Sequence, residues 1–132
     1  MLPGTQALLN FYLTNFTDVT SLQSAIKRMP FLNGHTNTTG GLRLMRTEIF
    51  NPANGDRENV PNVAILITDG APTKEVDGLD EEVARIKRDG VIILGVGVTN
   101  AVSERATTLY LLIKQVMYTV YHKNGVLCFW KW

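Results

Sequence analysis

The feature that most constrains this chain is a pair of uninterrupted apolar runs separated by a stretch with helical spacing. "VAILI" at 63–67 and "VIILGVGV" at 91–98 carry no charge and do not alternate with polar residues. Strands of a parallel sheet read this way because both of their faces are covered. Residues 62–68 are therefore expected to form a strand buried on both faces, and 91–98 a second one. Between them Leu79, Val83 and Ile86 recur at helical spacing, which predicts a helix over 79–88 with those three residues inward. Its charges suit the helix dipole, with Asp80, Glu81 and Glu82 at the front, Lys87 and Arg88 at the back, and Gly90 as the residue past the end. Strand, helix and strand with short connections make a βαβ unit, and hence a parallel sheet layered by helices.

The first apolar run ends abruptly in Thr68-Asp69-Gly70. Ligands of open parallel sheets gather outside the carboxyl ends of the strands, so Asp69 is a candidate ligand. A plain turn is the alternative for an isolated Asp before Gly. Thr36 lies in "GHTNTTGG", a loop by composition that directly precedes another helical pattern. Backbone N–H groups and a hydroxyl can converge there on an anion or a hydrated cation. A hydroxyl and a carboxylate are hard oxygen donors, suited to Mg²⁺, Mn²⁺ or Ca²⁺ rather than zinc.

"FYLTNF" at 11–16 alternates at period two and predicts a short edge strand. From Asp18 onward Val19, Leu22, Ile26 and Met29 share one helical face, ended by Pro30. Leu42, Met45 and Ile49 form a further helical face that closes before the turn-rich "NPANGD". In the tail, Leu109, Leu112, Ile113 and Val116 suit a helix. "MYTVYHKNGVLCFW" suits a hairpin turning at Asn124-Gly125, and Trp130 and Trp132 read as terminal packing.

Composition narrows the function classes. At 132 residues and a net charge of +1 the chain is at most one domain, with no basic stripe for nucleic acid. No apolar run approaches the ~20 residues of a membrane span, and the first residues lack the pattern of a signal peptide. The single cysteine, Cys128, excludes an internal disulfide. Two sequons, Asn15-Phe16-Thr17 and Asn37-Thr38-Thr39, are candidate glycan acceptors in a secreted protein.

Catalytic signals are weak. Thr68-Asp69-Gly70 after an apolar strand suggests a haloacid-dehalogenase-like phosphatase, but that loop needs an Asp two residues before the second acid, and position 67 is Ile. Gly95-x-Gly97 is half of a dinucleotide fingerprint and lacks the third glycine. His35 and His122 have no second ligand at zinc spacing. No nucleophile–base set is supported by spacing, so the chain is not expected to be an enzyme.

In order and spacing, three segments resemble the von Willebrand factor type A domain, in particular the type found in matrilins and fibril-associated collagens. They are the Gly-x-Thr-Asn-Thr loop opening a helix, the apolar strand into Thr-Asp-Gly, and Asp-Gly-Val-x-Ile leading into Gly-Val-Gly. The match covers about residues 11–104, leaving 105–132 as a divergent tail of one partial domain. The resemblance implies a doubly wound, mostly parallel sheet with helices on both faces. It also implies a metal-ion-dependent adhesion site in which an acidic side chain of a partner protein completes the coordination. By motif position Thr36 matches the family's threonine ligand and Asp69 its aspartate. An extracellular location and a matrix or cell-surface partner follow from the same resemblance.

The chain departs from the family at the Asp-x-Ser-x-Ser segment that ends the central first strand. The closest string, "DVTSL" at 18–22, has Thr and Leu where serines are needed. The first strand, first helix and second strand are expected to be missing ahead of residue 11, and the family's last strand is not recognisable. Thr36 and Asp69 alone offer two oxygens to an ion that takes about six. Mg²⁺ or Mn²⁺ is thus expected to bind the complete domain, and this chain weakly or not at all. The expectation is a fragment with an incomplete site, and the alternative is a remnant or scaffold that never binds metal.

Overall fold

A computed structural model of the chain describes residues 6–30, 34–68, 72–97, 119–121 and 127–128. Among these the chain forms helix α1 (Val19–Lys27), helix α2 (Thr38–Leu44), strand β1 (Val63–Thr68) and helix α3 (Leu79–Arg88). Strands β2 (Ile92–Gly97), β3 (Thr119–Tyr121) and β4 (Leu127–Cys128) complete the order. The sheet runs β1-β2-β3-β4. β1 pairs parallel with β2, from Val63 opposite Ile92 to Thr68 opposite Gly97. β2 pairs parallel with β3, and β3 pairs antiparallel with β4.

The expected βαβ unit is present, and α3 spans the expected residues. Leu79, Val83 and Ile86 are all buried. Gly90 takes a φ of 73°, a left-handed conformation that lets its N–H reach back to the Lys87 carbonyl at 3.1 Å. The tail hairpin is also present as β3 and β4, with Thr119 opposite Cys128 and Val120 opposite Leu127. Its Asn124-Gly125 turn lies outside the described residues, as do Trp130, Trp132, His122 and the helical pattern at 109–116. β3, in the first arm of that expected hairpin, also pairs parallel with β2, a pairing the sequence pattern does not show.

One core joins these elements. Leu42 from α2, Leu79, Val83 and Ile86 from α3, and Val91 and Ile93 from β2 pack together, with Met45, Phe50, Ala64 and Leu66 against them. α2 reaches that core by widening rather than ending. Residues 45–49 continue it as a π-helical turn, and the Phe50 N–H closes it by donating to the Met45 carbonyl at 3.0 Å.

Three expectations are corrected. Residues 11–16 form no strand; a turn at Tyr12–Asn15 replaces it, in which the Asn15 side chain accepts from the Tyr12 N–H at 2.5 Å. Asparagine turn chemistry here outweighs two alternating apolar positions. α1 forms as expected, with Asp18 accepting from the Ser21 N–H at its start, but none of its residues is buried. Val19, Ile26 and Met29 on its apolar face are exposed. The third correction concerns β1, which is covered on one face only. Ala64, Leu66 and Thr68 are half-buried, whereas Val63, Ile65 and Ile67 are 48%, 65% and 67% exposed. A continuous apolar run shows that both faces can be buried, and α2 and α3 supply cover for one.

Candidate functional site

Thr36 precedes α2 in a loop whose start is fixed by Asn37. The Asn37 side-chain oxygen accepts from the Gly40 N–H at 2.7 Å, capping the helix. Gly40 is required for this cap, because a Cβ there would lie 2.9 Å from the Asn37 amide. The cap leaves the Asn37 Nδ2 pointing across to the segment that follows β1.

That second segment is Pro72–Gly78, and it is laced to the Thr36 loop. The Thr36 N–H donates to the Thr73 hydroxyl at 3.0 Å. The Thr73 and Lys74 N–H groups donate back to the Thr36 carbonyl at 2.9 and 3.2 Å. Glu75 makes the next set of contacts: its carboxylate accepts from Asn37 Nδ2 at 2.8 Å and pairs with Arg43 at 3.0 Å. Its carbonyl accepts from the Thr39 hydroxyl at 2.8 Å. The Asn37 hydrogen bond first, and Arg43 after it, hold the Glu75 carboxyl below the usual carboxylate range. Glu75 sits at φ 51°, a left-handed conformation rare outside glycine, and these contacts offset its cost.

Arg43 carries the connection inward, lying 3.9 Å from Glu82 as well as 3.0 Å from Glu75. Glu82 is 1% exposed, a carboxylate inside the core. Arg46 donates to it through Nε at 2.7 Å, and Arg85 approaches at 3.4 Å. The hydrogen bond to Glu82 raises the Arg46 pKa, so the guanidinium stays charged under all ordinary conditions. Glu82 was not among the residues expected inward. Its position supplies the missed signal, since 79, 82, 83 and 86 trace one helical stripe.

Of the two residues expected to bind a cation, Thr36 is half-buried beside Thr73, which follows the end of β1 by five positions in the sequence. Its N–H and carbonyl are both engaged, while its hydroxyl meets no partner among the described residues. Asp69 lies outside the described residues, one position past the end of β1. With the Thr36 and Gly40 N–H groups committed to Thr73 and Asn37, those two donors are not turned to an anion. Among the described residues no three His, Cys, Asp or Glu side chains group as a metal site.

The other sequence signals are also placed. Asn37 is half-buried with its amide engaged, whereas Asn15 is exposed. Gly95 pairs with Leu66 on one side and Thr119 on the other. The Gly-x-Gly pair thus falls inside a central strand rather than in the turn that a dinucleotide fingerprint requires. His35 is exposed. Among the described residues no helix is long and apolar enough to cross a membrane.

Comparison with known proteins bears on the fold and the family. A family model described as the von Willebrand factor type A domain matches residues 4–121, reaching past both ends of the stretch that carries the motifs. Matrilin-3 of Homo sapiens is 37% identical over 98 residues, covering 70% of this chain and 19% of matrilin-3. The collagen alpha-1(XII) chain of Notophthalmus viridescens is 33% identical over 99 residues, covering 75% of this chain and 10% of the collagen. The chain therefore spans less than a fifth of the length of these relatives. Proximal thread matrix protein 1 of the mussel byssus shares the fold, with a TM-score of 0.76 at 23% identity over 89% of this chain and 31% of that one. A further structure of that protein, described as having a zinc-occupied MIDAS motif, superposes with a TM-score of 0.69 at 25% identity over 89% of this chain and 28% of that one.

Proposed function

Because this chain belongs to the von Willebrand factor type A domain family, we propose that it is a non-catalytic, protein-binding module of the adhesion or extracellular-matrix type. Its partner is engaged at the rim where the Thr36 loop meets the segment after β1. The observation that carries this reading is the lacing of Thr36 to Thr73 and Lys74 by two backbone hydrogen bonds and one from the Thr36 N–H to the Thr73 hydroxyl. That lacing joins the loop that carries the Thr36 hydroxyl to the segment Pro72–Gly78, which follows Asp69 in the sequence.

Thr36 and Asp69 are the residues that would hold Mg²⁺ or Mn²⁺. The fit is partial, because a hydroxyl and one carboxylate are the right donor types but fall short of the roughly six oxygens such an ion takes. When bound, the ion would present open positions to an acidic side chain of a matrix or cell-surface protein. The zinc-occupied motif of the mussel protein supports a cation at the corresponding rim. The family's doubly wound, double-sided layering is the frame in which such a rim would be complete. An extracellular setting accords with the matrilin and collagen relatives. There Asn15, exposed in its turn, is the better-suited glycan acceptor than the engaged Asn37.

Calorimetric titration with Mg²⁺ and Mn²⁺ tests the site. The expected result is saturable heat with a dissociation constant of about 1 mM or weaker, lost in both Asp69→Ala and Thr36→Val. A second reading, a scaffold that binds no metal, is favoured by one observation. The Glu75 carboxylate is committed to Asn37 and Arg43 rather than offered at the rim. Absence of heat from the unaltered chain would select that reading.

A further inference from the structure

Among the described residues Glu75 alone, apart from glycines, holds a left-handed backbone, at φ 51°. That conformation brings its Cβ close to the following carbonyl oxygen, at a cost of about tenfold in population. Two anchorages flank it. Upstream, the Thr73 and Lys74 N–H groups donate to the Thr36 carbonyl at 2.9 and 3.2 Å. At Glu75 itself, every side-chain partner comes from α2 or its cap. Asn37 and Arg43 hold the carboxylate, and the hydroxyl of Thr39, a residue 0% exposed, donates to the Glu75 carbonyl.

A change of φ at Glu75 redirects the chain at the residue directly after Lys74. The lacing upstream and the grip of α2 are therefore compatible only while Glu75 stays left-handed. Strain of this kind persists where surrounding contacts hold it, and it is released when they fail. We infer that Pro72–Gly78 is a spring-loaded strap, closed across the Thr36 loop while α2 holds Glu75. When that hold is lost, Glu75 relaxes to a negative φ and the strap leaves Thr36. Release frees the Thr36 N–H and carbonyl together, since both are engaged by the strap. The loop that carries the Thr36 hydroxyl thus has two discrete arrangements rather than a continuum. This inference rests on hydrogen bonds within the chain and does not depend on metal binding at the rim.

Amide hydrogen exchange on the full chain, followed residue by residue, tests the strap. The Thr73 and Lys74 amides report its closure, and the amides of Val83 and Ile86, buried in α3, serve as reference. Glu75→Ala loses the side-chain contacts and keeps the strain, so both reporters should exchange about tenfold faster. Glu75→Gly loses the same contacts and the strain together, so its reporters should stay within about threefold of the unaltered chain. Thr39→Val removes only the hydroxyl bond to the Glu75 carbonyl and should speed the reporters about fivefold. Val83 and Ile86 should exchange as before in all three variants. Equal acceleration in Glu75→Ala and Glu75→Gly would overturn the proposal, because lost contacts alone would then account for the opening. Unchanged reporters in Glu75→Ala would overturn it as well. So would acceleration shared by Val83 and Ile86, which would make the opening global, or free-peptide exchange at Thr73 and Lys74 in the unaltered chain.

Discussion

The two faces of β1 are built from similar residues and meet opposite surroundings. Ala64 and Leu66 pack against a core completed by α2, α3 and β2, while Val63, Ile65 and Ile67 one position away stand in solvent. Apolar character therefore records what a face tolerates, and only a neighbouring element decides whether it is buried. On the covered side, a buried carboxylate and its arginines share the layer with Ile86 and Val83. On the open side the same strand leaves Val63, Ile65 and Ile67 48%, 65% and 67% exposed.

The largest effect that separates the two sides is expected from Ile86→Ala. Ile86 is 1% exposed, and its truncation should lower stability by about 4 kcal/mol in urea unfolding. Arg46→Ala comes next, at about 3 kcal/mol in the same assay. It strips the closest partner from a carboxylate that is 1% exposed. Loss of under about 1 kcal/mol there would mean that Arg43 and Arg85 compensate fully. Asn37→Ala, which removes both the α2 cap and the bridge to Glu75, should cost about 1 kcal/mol.

A smaller effect is visible only in acid. The carboxyl of Glu75 is held below its ordinary value in the folded chain. Its contribution to stability is thus complete above the unfolded carboxylate pKa and falls away as pH drops through the lowered folded one. Glu75→Gln should flatten that acid limb of the stability–pH curve and leave the neutral region less affected. The smallest change is expected on the open face. Ile65→Thr at dilute protein concentration should alter stability by less than about 0.5 kcal/mol. A cost near that of Ile86→Ala would show that the two faces are alike after all.

Different parts of this molecule were legible in the sequence to different degrees. α3 could be read to its ends because spacing, terminal charges and Gly90 all pointed the same way. The antiparallel pair of β3 and β4 falls where the sequence suggested a hairpin, with the Asn124-Gly125 turn itself outside the described residues. The open face of β1 was not legible, because a run such as "VAILI" is the same whether one side or two are covered. Glu82 was hidden by its residue type, since glutamate on a helix ordinarily faces water. At the rim, the sequence placed Thr36 in a loop before a helix. It could not show that Thr73 and Lys74, some 37 positions onward, would share hydrogen bonds with it. Short-range patterns encode local elements, while lacing between two loops depends on how the whole sheet brings them together.

Arg43 has a mechanical consequence. It grips Glu75 at the rim and approaches the buried Glu82, so it acts as a tie rod between the surface and the packed interior. A tug on the Glu75 segment would be resisted by the packed helices through this guanidinium, and not by the loop backbone alone.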